Sequence, residues 1–347
     1  MGLNVASGAR SDTDRAAPAV VRGGRVRGSL HRRPEFGASI GAMLVYVFFA
    51  VFGVNGFFTL GGTASWMNTA AELGVLAVPI GLLMISGEFD LSVGSVIGAS
   101  SVIVAMCAAV FGWPLWWGIA LALLFGLSVG LMNGLIVTTT KLPSFIVTLA
   151  GLFIVAGLAL GGSRYLIGTT SVSLGATGSG AALFGSRYLG FNVSVLWWIG
   201  VVLAASWVLT RTPFGNWIYA TGADANAARS AGVPVVRVKI ILFMLSSLGA
   251  ALVGILQTIQ YRGGDVTYGR DFVFAAPVAV VIGGVLLTGG YGSTLGILLG
   301  TMIYGIVSLG IFYTGWNSDW AQLVLGALLL LAVVSNNHFR RLALRGG

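Results

Sequence analysis

The chain is 347 residues long, 56% hydrophobic and only 8% charged, with a mean hydropathy of +0.94. Globular domains carry about 25% charged residues, so this composition excludes a water-soluble enzyme. The net charge of +9 sits largely in the two flanks, which is the pattern of a membrane protein's cytoplasmic side and excludes a nucleic-acid partner.

Residues 1–36 are rich in Arg, Gly, Ser and Ala, lack apolar periodicity and read as a disordered basic cytoplasmic tail. No cleaved signal peptide is expected, because the first apolar stretch is already long enough to span a bilayer. Apolar runs bounded by Gly, Pro or charge then predict ten spans. They lie at about 38–57, 66–87, 91–111, 114–137, 143–161, 194–210, 239–260, 274–289, 292–312 and 320–335. Asn68, Thr69 and Glu72 weaken the second and the eighth is short, so both are candidates for broken or re-entrant helices.

With the N-terminus inside, the cytoplasmic face receives seven tail arginines, Lys141, Arg211, Arg229, Arg237, Lys239, Arg340, Arg341 and Arg345. That is 15 of the 19 basic residues. An even number of spans returns the C-terminus to the same face, so charge and parity agree. The fold class is therefore an all-α polytopic membrane protein of about ten transmembrane helices with both termini cytoplasmic. Its transmembrane domain covers 37–335, with an outer loop at 162–193, an inner loop at 211–238 and a cytoplasmic tail at 336–347. Gly94/Gly98, Gly126/Gly130/Gly134 and Gly292/Gly296/Gly300 repeat at four-residue spacing and read as seams of close helix packing.

Several classes of chemistry lack their residues. No glycine-rich loop ends in Gly-Lys-Ser/Thr, so the chain has no means of hydrolysing a nucleotide. Its histidines, His31 and His338, lie in the flanks, and Cys107 is the single cysteine; no catalytic triad, metal cluster or bound cofactor is expected. Carboxylates at or near spans are few (Glu72, Glu88 and Asp90), a thin supply for a proton- or sodium-coupled carrier. What remains is a pore, a carrier, or a membrane subunit driven by a partner.

Three constellations carry the functional reading. Gly87-Glu88-Phe89-Asp90-Leu91-Ser92-Val93-Gly94-Ser95 places two carboxylates and two hydroxyls at a helix junction. Asp90 either caps the helix that follows or joins Glu88, Ser92 and Ser95 in lining a solute path. Asn133-Gly134 is followed by Leu142-Pro143-Ser144-Phe145-Ile146-Val147-Thr148-Leu149; Pro143 suits a first helical turn, and Asn133, Ser144 and Thr148 serve either interhelical hydrogen bonds or solute contact. In the inner loop, Asp224 reads as an N-cap, Ala225 to Ala231 as a short helix, Gly232 as its C′ residue and Pro234 as its stop. A helix of two turns does not persist alone in water, so it is expected to dock.

In this order, these segments resemble the permease subunits of ABC importers of the ribose/xylose/arabinose type. That family's Gly-Gly-Ile-Asp-Leu-Ser-Val-Gly-Ser motif is similar to residues 87–95, with Glu88 and Phe89 replacing its second and third positions. Its Asn-Gly and Leu-Pro-Ser-Phe-Ile-Val-Thr-Leu segments match Asn133-Gly134 and Leu142 to Leu149, and its inner-loop motif resembles Arg211 through Gly232. Asp224, Ala225 and Asn226 stand where Asn, Pro and Glu are usual. A fourth similarity is Gly283-Gly284 with Gly289-Gly290-Tyr291-Gly292-Ser293.

The resemblance implies a permease in a bacterial inner membrane, paired with a second copy as a homodimer and surrounded by lipid. Two cytoplasmic ATPase subunits would bind the ATP, and a periplasmic sugar-binding protein would deliver the solute. The inner loop, through Gly222, Asp224, Asn226, Ala227, Ala228, Arg229 and Gly232, would act as the coupling helix. The alternative is a self-contained secondary carrier for a small polar solute.

Overall fold

A computed structural model of the chain describes residues 34–53, 56–175 and 180–345; the expected tail lies outside them apart from Pro34 to Phe36, which open the first helix. Helix α1 spans Pro34–Phe52. Helix α2 spans Leu60–Ile85, opened by Thr59, whose hydroxyl accepts from the Gly62 amide at 3.1 Å. Despite Asn68, Thr69 and Glu72 it is unbroken, because Asn68 and Glu72 find polar partners on other elements. It is buried almost all round, as expected of a helix apolar on every face, and the other helices surround it.

Helix α3 (Val93–Ala105) runs on as a π turn over Met106–Val110. Helices α4 (Leu115–Thr140) and α5 (Ser144–Ile167) are joined through Lys141 in a left-handed conformation. The expected outer loop is more ordered than its Gly/Ser/Thr content suggests. It holds strand β1 (Ser171–Ser173), a single helical turn α6 (Gly180–Phe184), and the strands β2 (Arg187–Tyr188) and β3 (Phe191–Asn192), paired as a hairpin.

Helix α7 (Ser194–Arg211) leads into the inner segment, which holds two helices where one was expected: α8 (Pro213–Ala223) and α9 (Ala225–Ser230). Thr212 caps α8 and Pro213 supplies its preset first turn, signals that the apolar pattern alone does not carry. Helix α10 (Val235–Gln260) is followed by strand β4 (Gly263–Asp265), antiparallel to β1. The eighth predicted span is cut short: α11 ends at Ile282, at the Gly283-Gly284 pair, and residues 283–293 form turns before α12 (Thr294–Tyr313). Helix α13 (Trp320–Arg345) continues through most of the segment expected as a C-terminal tail.

Seven of the described helices are long and apolar enough to cross a membrane: α2, α3 with its π turn, α4, α5, α7, α10 and α12. Shorter apolar stretches cover Gly37–Phe52, Phe272–Ile282 and Trp320–Val334. The glycine seams sit where helices meet most closely. A Cβ at Gly130 would lie 2.6 Å from Met244 Cα, and one at Gly134 would lie 2.9 Å from Ile240 Cα, so α4 and α10 meet backbone to backbone.

Candidate functional site

The segment joining α2 to α3, residues 86–92, does not stay at the helix ends. It runs inward along α10: Glu88 forms an ion pair with Lys239 in the first turns of that helix. Two residues later, Asp90 meets Ser246, about 16 Å along α10 from Val235. The Asp90 carboxylate is 2% exposed and fully engaged. Its Oδ1 accepts from the Ser92 amide at 3.0 Å and the Ser92 hydroxyl at 2.6 Å, and its Oδ2 accepts from Ser246 at 2.9 Å and Ser247 at 3.4 Å.

The expected capping role changes in form. Ser92 occupies the N-cap position of α3, and its side chain makes no capping bond. Asp90 instead closes a turn on the amide two residues ahead, the local bond that Asp side chains favour. The reason is competition: the Ser92 hydroxyl is given to Asp90, so it does not turn toward α3.

The remaining candidates converge on the same junction. Asn133 on α4 donates from Nδ2 to Ser92 Oγ at 2.9 Å, an interhelical bond, and its Oδ1 has no partner. Ser95 donates to the Ser92 carbonyl at 2.8 Å. On α5, Ser144 Oγ accepts from the Phe89 amide at 3.1 Å, while Thr148 donates to the Ser144 carbonyl at 2.8 Å and approaches the Phe89 carbonyl at 3.4 Å. Glu88, Asp90, Ser92, Ser95, Asn133, Ser144 and Thr148 are therefore one buried polar junction of four elements. Ser246 and Ser247 complete it and were not anticipated. Their signal was an adjacent pair of hydroxyls inside an apolar helix, where each needs a partner.

The second site is the inner segment. Asp224 is the N-cap of α9, its Oδ1 accepting from the Asn226 amide at 2.8 Å and the Ala227 amide at 3.0 Å. Those bonds, Ala227's first, hold its carboxyl below the ordinary range. The Gly232 amide donates to the Arg229 carbonyl and the residue turns left-handed at φ 87°, the αL conformation glycine adopts freely. Arg229 reaches back to Asn226 Oδ1 at 3.2 Å. Ala228 is the buried face of this turn.

The inner segment touches the end of α2 from which the linker departs. Gly222, at the end of α8, lies so close to the inner end of α2 that a Cβ there would overlap the Ile85 carbonyl oxygen and approach Gly290 N to 2.6 Å. Gly290 N in turn donates to Ile85 O at 2.8 Å. Tyr219 Oη donates to the Gly292 carbonyl at 2.8 Å. Helix α8, the α2–α3 linker and the turn before α12 thus meet backbone to backbone, and Gly222 is the residue that permits it. Neither Tyr219 nor Ile85 stood out in the sequence, since an aromatic and an aliphatic residue near a span end need no special reading.

Residues 62–333 match the family described as branched-chain amino acid transport system / permease component. The chain belongs to this permease family. The permease is similar to the xylose transport system permease protein XylH of Escherichia coli K12, 30% identical over 359 residues covering 87% of this chain and 91% of that one. It is similar to the fructose import permease protein FrcC of Rhizobium meliloti, 33% identical over 323 residues, with 90% and 88% covered. The ribose import permease protein RbsC of Escherichia coli K12 is 31% identical over 285 residues, with 81% and 87% covered. No solved structure matches the permease.

Proposed function

We propose that this permease is the transmembrane subunit of an ATP-driven, binding-protein-dependent importer that moves a monosaccharide or related small polar solute across the bacterial inner membrane. One observation carries the proposal: a chain of this family without a phosphate loop presents an ordered inner helix pair, capped by Thr212 and Asp224 and seated through Gly222 on the end of α2. The sugar class is supported by relatives named for xylose, fructose and ribose.

In this proposal the permease crosses the membrane ten times with both termini cytoplasmic and works as a homodimer. Two ATPase subunits grip α8–α9 and bind the ATP, and a periplasmic solute-binding protein docks outside; the permease itself holds no cofactor and carries out no catalysis. Gly222, Asp224, Asn226, Ala227, Ala228, Arg229 and Gly232 shape the coupling surface. The polar junction around Asp90 forms the inner end of the solute path. Its own hydrogen bonds close it here, and motion of α8 opens it by drawing on the linker. The test is reconstitution in proteoliposomes with a candidate ATPase and binding protein: solute should stimulate ATP hydrolysis and uptake together. Uptake without the ATPase, driven by a proton or sodium gradient, would establish the secondary carrier instead.

A further inference from the structure

The hairpin β2–β3 is a rigid element whose exposed tip neither folding nor burial explains. Arg187 pairs with Asn192 and Tyr188 with Phe191, leaving Leu189 and Gly190 as a two-residue turn, both with positive φ (51° and 91°). Such turns favour Asn-Gly, because a bulky L-residue is strained in the left-handed region. Here the first position is leucine, 62% exposed, beside Tyr188 at 78%. A strained residue that buries nothing points to a use outside the chain.

The hairpin is fixed at Gly190 of its turn and at Asn192. Buried Asn68 of α2 holds it like an added strand: its Nδ2 donates to the Gly190 carbonyl at 2.9 Å, and its Oδ1 accepts from the Asn192 amide at 2.8 Å. Asn192 Nδ2 donates to Gln260 Oε1 on α10 at 3.1 Å, and Arg187 Nε to the Gly190 carbonyl at 3.1 Å. The guanidinium of exposed Arg187 has no carboxylate partner among the described residues. An apolar pair on a preorganised backbone, flanked by an arginine and amides, has the composition of a protein-binding anchor with a polar rim.

We infer that the hairpin tip Tyr188–Leu189 is a docking anchor for the extracytoplasmic solute-binding protein, seated in an apolar depression bordered by carboxylates that Arg187 meets. This rests on the importer reading and adds the surface through which the partner engages. The rim argues for a soluble protein over lipid, since the exposed Arg187 guanidinium has no carboxylate among the described residues and suits an acidic partner face.

The test titrates the reconstituted complex, permease plus ATPase subunits, with the solute-loaded binding protein that stimulates it and reads the half-stimulating concentration for ATP hydrolysis. Leu189→Asn suits the left-handed turn, so the variant should be at least as thermally stable as wild type. It should nevertheless need about tenfold more binding protein, as loss of an anchor residue implies, with the rate at saturation unchanged. Tyr188→Ser should shift the curve in the same direction. Curves superimposable on wild type for both variants overturn the inference while leaving the importer reading intact. A wild-type complex that no candidate binding protein stimulates overturns both. An environment-sensitive fluorophore at Leu189→Cys, in a Cys107→Ala background, should turn blue only when binding protein is added; a blue shift in vesicles alone assigns the tip to lipid and also overturns it.

Discussion

Gly222→Ala is the sharpest perturbation of the coupling contact, because one methyl group is placed where three backbones meet. The added Cβ would overlap Ile85 O and stand 2.6 Å from Gly290 N and 2.9 Å from Ile85 C. Favourable heavy-atom contacts lie near 3.5–4.0 Å, so the end of α8 must retreat by about 1 Å. Overpacking of this kind costs roughly 1–3 kcal/mol. Straining the Gly290 N to Ile85 O bond adds about 1 kcal/mol. The cost falls at the inner surface, so the bundle should fold and still co-purify with the ATPase. What should fail is transmission. Solute moved per ATP hydrolysed in proteoliposomes should fall by about tenfold, since ~1.4 kcal/mol lost from the coupled contact is a factor of ten. Gly157→Ala is the control, because its Cβ would enter open space on α5. A wild-type transport ratio in Gly222→Ala, or an equal loss in Gly157→Ala, would refute the reasoning.

Asp90→Asn should retain assembly and at least half of wild-type transport, because the Ser246 and Ser247 hydroxyls rotate to accept where they now donate. Asp90→Ala should cost roughly 3 kcal/mol by stranding buried donors and lower the yield of folded permease; equal yields of the two variants would contradict the network. Ser173→Cys, in a Cys107→Ala background, should label from outside intact cells with a membrane-impermeant maleimide, and labelling only after permeabilisation would reverse the topology. The Asp224 carboxyl is depressed in the folded state, so its cap is at full strength above the ordinary carboxylate pKa of about 3.9 and is lost as pH falls through the lower folded value. Amide exchange across 225–230 should therefore be insensitive to this group from pH 5 to 8, and protection lost with a midpoint above pH 5 would sink the assignment.

The parts of the permease legible in its sequence are those set by local chemistry. Apolar run length marked the helices, and the order Asp224, Ala225–Ala231, Gly232, Pro234 gave α9 almost residue for residue, because caps and stops act within one or two turns. The glycine seams were legible because a four-residue repeat puts small residues on one face. Long-range pairing was not. Asp90 precedes Ser246 by 156 positions and Asn68 precedes Asn192 by 124, and nothing in a run of apolar residues says which hydroxyl will face which carboxylate. Helix α8 was missed because its apolar content is moderate; Thr212 and Pro213 were its only local signals. The early end of α11 was written in Gly283-Gly284, which an apolar window reads across.

Magnitudes decide where motion enters the bundle. Helix α2 has 20 buried residues on all its faces, so displacing it would break close packing along its whole length. The linker that follows is held differently. Its grip on α4, α5 and α10 consists of the Glu88–Lys239 pair, the bonds from Ser246 and Ser247 to Asp90, Asn133 to Ser92, and Phe89 to Ser144. Each neutral bond contributes about 0.5–1.5 kcal/mol net and each bond to a charged group about 1.5–3, so these contacts can be released singly where a packed helix face cannot. In the proposed importer, a push on Gly222 reaches the end of α2 at Ile85, from which the linker departs, and divides between the two according to their stiffness. On that proposal α2 stays fixed as the fulcrum, with its first half still clamping the β2–β3 hairpin through Asn68. The linker yields between its two ends, while α3, buried along nearly all of its length, keeps its packing. In the proposed importer, coupling therefore exchanges hydrogen bonds at one polar junction and leaves the packing around α2 in place.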